Sequence, residues 1–189
     1  MIKIGILGDI GSGKSYIAKI FGYPVFNAYE EVAKLYKKDK RIFRKLKKVL
    51  PKYIFSFPIS KNEISKAVLA NKTNLKKIVK VIHHEIRKKM YVFLKKNKFK
   101  KIVILDIPLL LENRINKKND VLIFIKSEKS EIIKRLKKRK NFNQELLKKF
   151  KALQLPLDYK MKKSQFIIKN NFKKDSVQKD VKLILEKLL

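Results

Sequence analysis

Eight residues near the start of the chain, Gly8-Asp9-Ile10-Gly11-Ser12-Gly13-Lys14-Ser15, fit the pattern G-x-x-x-x-G-K-[ST]. Each residue type suits one task in holding a phosphate. The glycines let the backbone fold round the anion with its N–H groups pointing inward, and the positive end of a following helix adds to the attraction. Lys14 has the reach for the β- and γ-phosphates, and the Ser15 hydroxyl is a ligand for Mg²⁺. The expected cofactor-binding set is Gly8, Asp9, Ile10, Gly11, Ser12, Gly13, Lys14, Ser15 and Tyr16, with ATP or another nucleoside triphosphate and Mg²⁺ as ligands. Asp9 adds a carboxylate to this loop, and its charge repels phosphate unless Mg²⁺ or Lys14 offsets it.

Such a loop must sit between a buried strand and an amphipathic helix. Ile2–Leu7 is a short apolar run ending at Gly8, and "KSYIAKIF" has apolar residues on one helical face. Further along, Tyr23–Ala28 reads as a second strand, and Glu30–Leu50 as a long basic helical pattern, whole or broken, stopped by Pro51. Ile54–Ile59 is a compact apolar patch. Glu63–Leu69 and Leu75–Phe93 read as helices, the latter with Ile78, Val79, Ile82, Ile86 and Met90 at helical spacing.

The continuous apolar run Lys101–Glu112 predicts a central parallel strand, and Asp120–Lys126 another. Ser130–Arg139 and Gln144–Leu153 are helical patterns, Gln165–Lys169 the last strand, and Ser176–Leu189 the closing helix. Strands alternating with helices predict an α/β fold: a P-loop kinase-like, doubly wound parallel sheet. One P-loop domain spans 1–189, with a helical insert over roughly 30–98 and a lid over roughly 135–160.

The chain has 189 residues, 50 Lys+Arg against 16 Asp+Glu, a formal net charge of +34, and no cysteine. Disulfides and thiolate metal sites are excluded. The apolar runs are too short to span a bilayer and no signal-peptide pattern opens the chain, so a cytoplasmic protein with no membrane association is expected, as a monomer or weak oligomer. The charge favours polyanions. The lysines are spread through every segment rather than gathered on one stripe, which fits lysine filling most exposed positions, with nonspecific nucleic-acid binding at low salt as a consequence of charge alone. "NKKND" at Asn116–Asp120 has the letters of a guanine motif, but it precedes a strand instead of following one.

Beyond the loop, five ordered stretches carry a resemblance. They are "GILGDIGSGKS", "NKTNLKKIVKVIHHEIRKKM" (Asn71–Met90), "VILDIPLLLE" (Val103–Glu112), "RLKKRKNFNQE" (Arg135–Glu145) and "QLPLDYKMKKSQFIIKNN" (Gln154–Asn171). The third matches D-x-P-L-L-[FL]-E and the last resembles Q-x-P-x-x-x-K ahead of a strand ending in Asn. From end to end the chain resembles the dephospho-coenzyme A kinase family. The resemblance implies transfer of the γ-phosphoryl group of ATP to the ribose 3′-hydroxyl of dephospho-CoA, a small-molecule acceptor.

It also implies roles. Arg139 and, four residues earlier on the same helical face, Arg135 are the lid arginines facing the phosphates; an arginine fork suits phosphate oxygens. Asp106, ending a buried strand beside the P-loop, holds Mg²⁺-bound water or the acceptor hydroxyl. His83, Arg87, Pro108 and Glu112 belong to the acceptor side, and Asn170 to the adenine side. The chain departs from the family at "FNAYEE". Where the family reads Asp-Ala-Asp, Asn27-Ala28-Tyr29 stand, and both carboxylates are gone. Glu30, presented by a one-residue slip, Asp106 or Asp9 is expected to do the missing work, because Tyr29, with an ordinary pKa near ~10, is a poor base at neutral pH. The catalytic set is therefore Lys14, Arg139, Asp106 and Glu30. Two alternatives stay open: a nucleoside or nucleotide as acceptor, and a catalytically weakened nucleotide-binding protein.

Overall fold

The structure is a computed structural model and describes residues 1–140 and 142–189. Its elements run β1 (Ile2–Gly8), α1 (Lys14–Ile20), β2 (Val25–Asn27), α2 (Ala28–Lys38), α3 (Lys40–Val49), α4 (Lys61–Ala70), α5 (Lys72–Lys96), β3 (Ile102–Asp106), β4 (Val121–Lys126), α6 (Lys129–Lys137), α7 (Gln144–Lys151), α8 (Leu157–Lys162), β5 (Phe166–Lys169) and α9 (Lys174–Leu188). The five strands form one parallel sheet in the order β2-β3-β1-β4-β5. All of β3 and the last five residues of β1 are buried, as continuous apolar runs in a helix-covered parallel sheet should be.

Chain contacts divide the molecule into two compact units. The first comprises Met1–Asn27, Asn97–Phe142 and Leu153–Leu189 and contains the sheet. Its core is an isoleucine-rich cluster in which Ile4, Ile6, Ile104 and Ile123 of the sheet pack with Ile17 and Ala18 of α1 and Val177, Val181 and Ile184 of α9. Each fully buried isoleucine stabilises the fold by about 1.5–3 kcal/mol relative to an exposed one. The second unit, Ala28–Lys96 and Asn143–Ala152, is helical, with α5 packed against α2, α3 and α4.

Three local features refine the sequence reading, each with a physical cause. The basic stretch Glu30–Leu50 is two helices, because Asp39 ends the first and caps the second, its carboxylate accepting from the N–H groups of Arg41 at 2.9 Å and Ile42 at 3.2 Å. The run Lys101–Glu112 is a strand only to Asp106. Pro108 has no N–H for a ladder, and a turn follows in which Leu109, Leu110 and Leu111 accept from Asn113, Ile115 and Arg114. The helix α8 lacks any long periodic run and begins directly after Pro156. Asp120, the acid of "NKKND", holds the Lys3 ammonium at 2.8 Å and the Lys117 N–H at 2.8 Å, closing the turn into β4. Among the described residues, no helix is long and apolar enough to cross a membrane.

Candidate active site

The loop between β1 and α1 has the backbone its sequence calls for. Gly8, Gly11 and Gly13 take φ values of 143°, 89° and 91°, a region that side chains other than glycine's rarely occupy. Two of them also lack room for a Cβ. At Gly8 it would lie 2.8 Å from the Ile125 carbonyl oxygen, and at Gly13 2.5 Å from Asn170 Nδ2. The cradle is tied to the sheet from behind, where the Ser12 carbonyl accepts from Asn170 Nδ2 at 2.8 Å and from Ser127 Oγ at 3.1 Å. Ser12 Oγ is buried and has no hydrogen-bond partner among the described residues. Ile10 donates its N–H to the Asp9 carboxylate at 2.7 Å, which turns that acid onto its own loop. Ser15 is half-buried in the first turn of α1, and Tyr16 is exposed.

Lys14 is buried at the mouth of this cradle. Its ammonium donates to the carbonyls of Asp9 at 2.7 Å and Gly8 at 3.2 Å. Burial pushes it down to about 8; Asp106 opposes that shift, Lys160 adds to it, and Asp9 and Glu112 also oppose it. A cationic head held by two carbonyls beside three glycines of positive φ is a fitting seat for a polyphosphate.

The register of β2 on β3 sets Asn27 opposite Asp106. Asn27 Nδ2 donates to Asp106 Oδ2 at 3.1 Å, and Asp106 is fully buried. An aspartate at position 27 would set two carboxylates in contact; the amide instead offers Asp106 a hydrogen-bond donor. Past the Pro108 turn, Glu112 Oε1 pairs with the Lys160 ammonium at 2.6 Å and accepts from the Leu155 N–H at 3.0 Å. Lys160 is 1% exposed and also approaches Gln154 Oε1 at 3.4 Å.

Arg135 and Arg139 are exposed and, with Glu131, Lys134 and Lys138, line an open depression. The Arg135 guanidinium lies 4.3 Å from the centroid of the Phe172 ring. Asn170 is buried, its amide bonding Ser12 at one end and the Phe172 N–H at 2.9 Å at the other.

The first unit thus gathers the loop, Asp106, Glu112, Arg135, Arg139 and Asn170, with Pro108 half-buried in the turn. Glu30, His83 and Arg87 belong to the helical unit. Glu30 is exposed in the first turn of α2, beside Glu31, which pairs with Lys34 at 2.6 Å and Lys89 at 3.2 Å. On α5, His83 is half-buried and Arg87 exposed.

Sequence reasoning missed three contributors. Lys160 was hidden among 50 basic residues, although the Q-x-P-x-x-x-K spacing pointed to it. Asn27 was read only as a lost acid, and its role as a donor needs the strand register. Ser127 carried no signal.

A protein-family model described as dephospho-CoA kinase matches residues 2–175. The chain is 35% identical to a dephospho-CoA kinase of Wolbachia sp. subsp. Brugia malayi, over 98% of this chain and 97% of that one. It is 30% identical to one from Bartonella quintana over 98% and 97%. Among solved structures it is similar to TT1252 from Thermus thermophilus, with a TM-score of 0.79 and 25% identity over 100% of this chain and 98% of that one. The fold is shared with a dephospho-CoA kinase from Campylobacter jejuni, at a TM-score of 0.64 and 21% identity over 98% and 96%. A glycine cradle with a buried lysine, on this sheet order and matched over nearly the whole chain, leaves one assignment: the chain belongs to the dephospho-CoA kinase family.

Proposed function

We infer that the chain transfers the γ-phosphoryl group of ATP to the 3′-hydroxyl of dephospho-CoA, giving coenzyme A and ADP. The observation that carries this reading is the buried Lys14 ammonium, 2.7 Å from the Asp9 carbonyl in a cradle that admits no side chain at Gly8 or Gly13, in a chain of this family. In the transfer, the bond from the 3′-oxygen to the γ-phosphorus forms as the bond from that phosphorus to the β–γ bridging oxygen breaks, and the hydroxyl proton leaves to a base. The protein contributes alignment and charge.

Lys14 exchanges its two carbonyl partners for phosphate oxygens. The loop N–H groups hold the β-phosphate, and Arg139 meets the charge of the group in flight. Asp106, which accepts from Asn27, orients the acceptor hydroxyl or would hold Mg²⁺-bound water, and Glu30 takes the proton. Glu112 and Lys160 keep the turn after β3 in place, with Pro108, His83 and Arg87 on the acceptor side.

The donor set fits Mg²⁺, which takes one or two protein oxygens and fills its other positions with phosphate and water. Ser15 and Asp106 are the oxygens on offer. When bound, Mg²⁺ neutralises charge on the β- and γ-phosphates.

A coupled assay with ATP, Mg²⁺ and dephospho-CoA, beside a panel of nucleosides, tests the assignment. Product from dephospho-CoA with none from the panel is expected; turnover of a nucleoside alone overturns it. Glu30→Gln is expected to lower kcat by about 10²-fold or more, and Tyr29→Phe far less. The reverse order removes Glu30 from its role. The net charge of +34 supports nonspecific nucleic-acid binding in the cytoplasm, steeply weakened by salt and indifferent to sequence.

A further inference from the structure

Phe172 sits in backbone that its side chain disfavours. Its φ is 64°, in the left-handed region, where a bulky residue is an outlier. Two contacts hold it there. Its N–H donates to Asn170 Oδ1 at 2.9 Å, and its ring carries the Arg135 guanidinium 4.3 Å from the centroid. The same Asn170 bonds the phosphate loop at the Ser12 carbonyl, 2.8 Å away. The ring lies beside the last glycine of that loop: a Cβ on Gly13 would be 3.7 Å from Phe172 Cε1. Arg135 is exposed, and it lines the basic depression with Lys134, Lys138 and Arg139.

An exposed arginine ordinarily samples many rotamers, and ordering it costs side-chain entropy. Here an aromatic ring holds the guanidinium in place before any ligand arrives. We propose that Phe172 is a positioning residue that sets Arg135 as a stacking platform for the base of the bound nucleotide, next to the loop that holds its phosphates. The proposal rests on the ATP reading of that loop. It makes the base a flat partner held by stacking, which every nucleobase offers. Asn170, whose amide bonds Ser12 and Phe172 at its two ends, ties the platform to the cradle.

The test compares ATP with inorganic tripolyphosphate, which has the phosphates and no base, by calorimetry on the full chain. Phe172→Ala and Phe172→Gly are expected to weaken ATP by about fivefold or more while tripolyphosphate moves by less than about twofold. The glycine variant suits the left-handed backbone, so its fold is expected to be intact by circular dichroism. Phe172→Tyr keeps the ring and is expected to bind ATP as the parent does. Arg135→Ala is expected to reproduce the Phe172→Ala loss, with no further loss in the double variant, because the two act as one unit. Unchanged ATP binding in Phe172→Gly, an equal loss for both ligands, or additive losses in the double variant would overturn the proposal. These readouts need no acceptor, so a failure to phosphorylate dephospho-CoA leaves the stacking test standing. Absence of ATP binding by the parent chain overturns the nucleotide reading and the platform together.

Discussion

A buried glutamate in one unit and a half-buried one in the other are satisfied in opposite ways. Glu63, in the helical unit, binds only neutral donors: the N–H groups of Phe55 at 2.8 Å, Ser56 at 2.9 Å and Ser60 at 2.8 Å, and the Ser56 hydroxyl at 2.7 Å. With the Ser60 hydroxyl accepting from the Glu63 N–H at 3.1 Å, Glu63 completes a capping box at the start of α4. Glu112, in the sheet unit, has a cation. Lys160 lies 2.6 Å from Oε1, while Oε2 is buried with no hydrogen-bond partner among the described residues. Glu63 closes a loop and exhausts its acceptors. Glu112 keeps acceptor capacity in hand close enough to Lys14 to act on its charge. A carboxylate saturated by hydrogen bonds holds structure together; one left partly unsatisfied within reach of the Lys14 charge keeps room for another donor.

Breaking each carboxylate separately sharpens that contrast. The largest loss is expected at the ion pair. Lys160→Met strands Glu112 in the interior and should lower stability by about 3–5 kcal/mol, whereas replacing both partners with apolar residues should recover much of it. Denaturant unfolding of the single and double variants checks this; equal losses would mean that packing, not charge, is at stake. Lys14→Ala should leave stability near that of the parent and reduce kcat by about 10²–10³-fold, read in the coupled assay.

Glu63→Gln removes a charge that the hydrogen bonds prefer. Burial alone would raise the Glu63 pKa, but the backbone N–H groups and Ser56 outweigh it and bring the carboxyl down to about 2. A depressed folded pKa gives stability that is present above the ordinary glutamate range and is lost as pH falls toward 2. The parent should therefore exceed Glu63→Gln by about 1–3 kcal/mol at neutral pH, with the gap narrowing below about pH 4.5. A constant gap would show that the charge is irrelevant. The smallest effect is on pH–rate behaviour. With Lys14 at about 8, its ammonium is lost as pH rises through that value, so kcat/KM for ATP should fall on a basic limb near 8. A flat profile to pH 9 would show that Lys14 stays charged in the free protein.

Much of this was legible in the chain alone, because it depends on neighbours in sequence. The loop from Gly8 to Ser15, the buried runs of β1, β3 and β4, and the amphipathic α5 are local patterns, and a strand–loop–helix with three glycines has few other solutions. The family resemblance added the acceptor, through ordered stretches that span the chain. What no local pattern carried was the partner of each polar group. Asn27 reads as a missing acid until the β2–β3 register sets its amide 3.1 Å from Asp106. Lys160 is one lysine among many until the chain brings it to Glu112, 48 residues away in sequence, and removes both from water. Phe172 has no reason to matter until its backbone turns left-handed and its ring meets Arg135. The sequence by itself determined the elements and the phosphate cradle, because hydrophobic period and glycine content act over a few residues. Only the tertiary structure decided which charges are paired and which side chains are held ready, because burial and opposition across the sheet are properties of residues far apart in the chain.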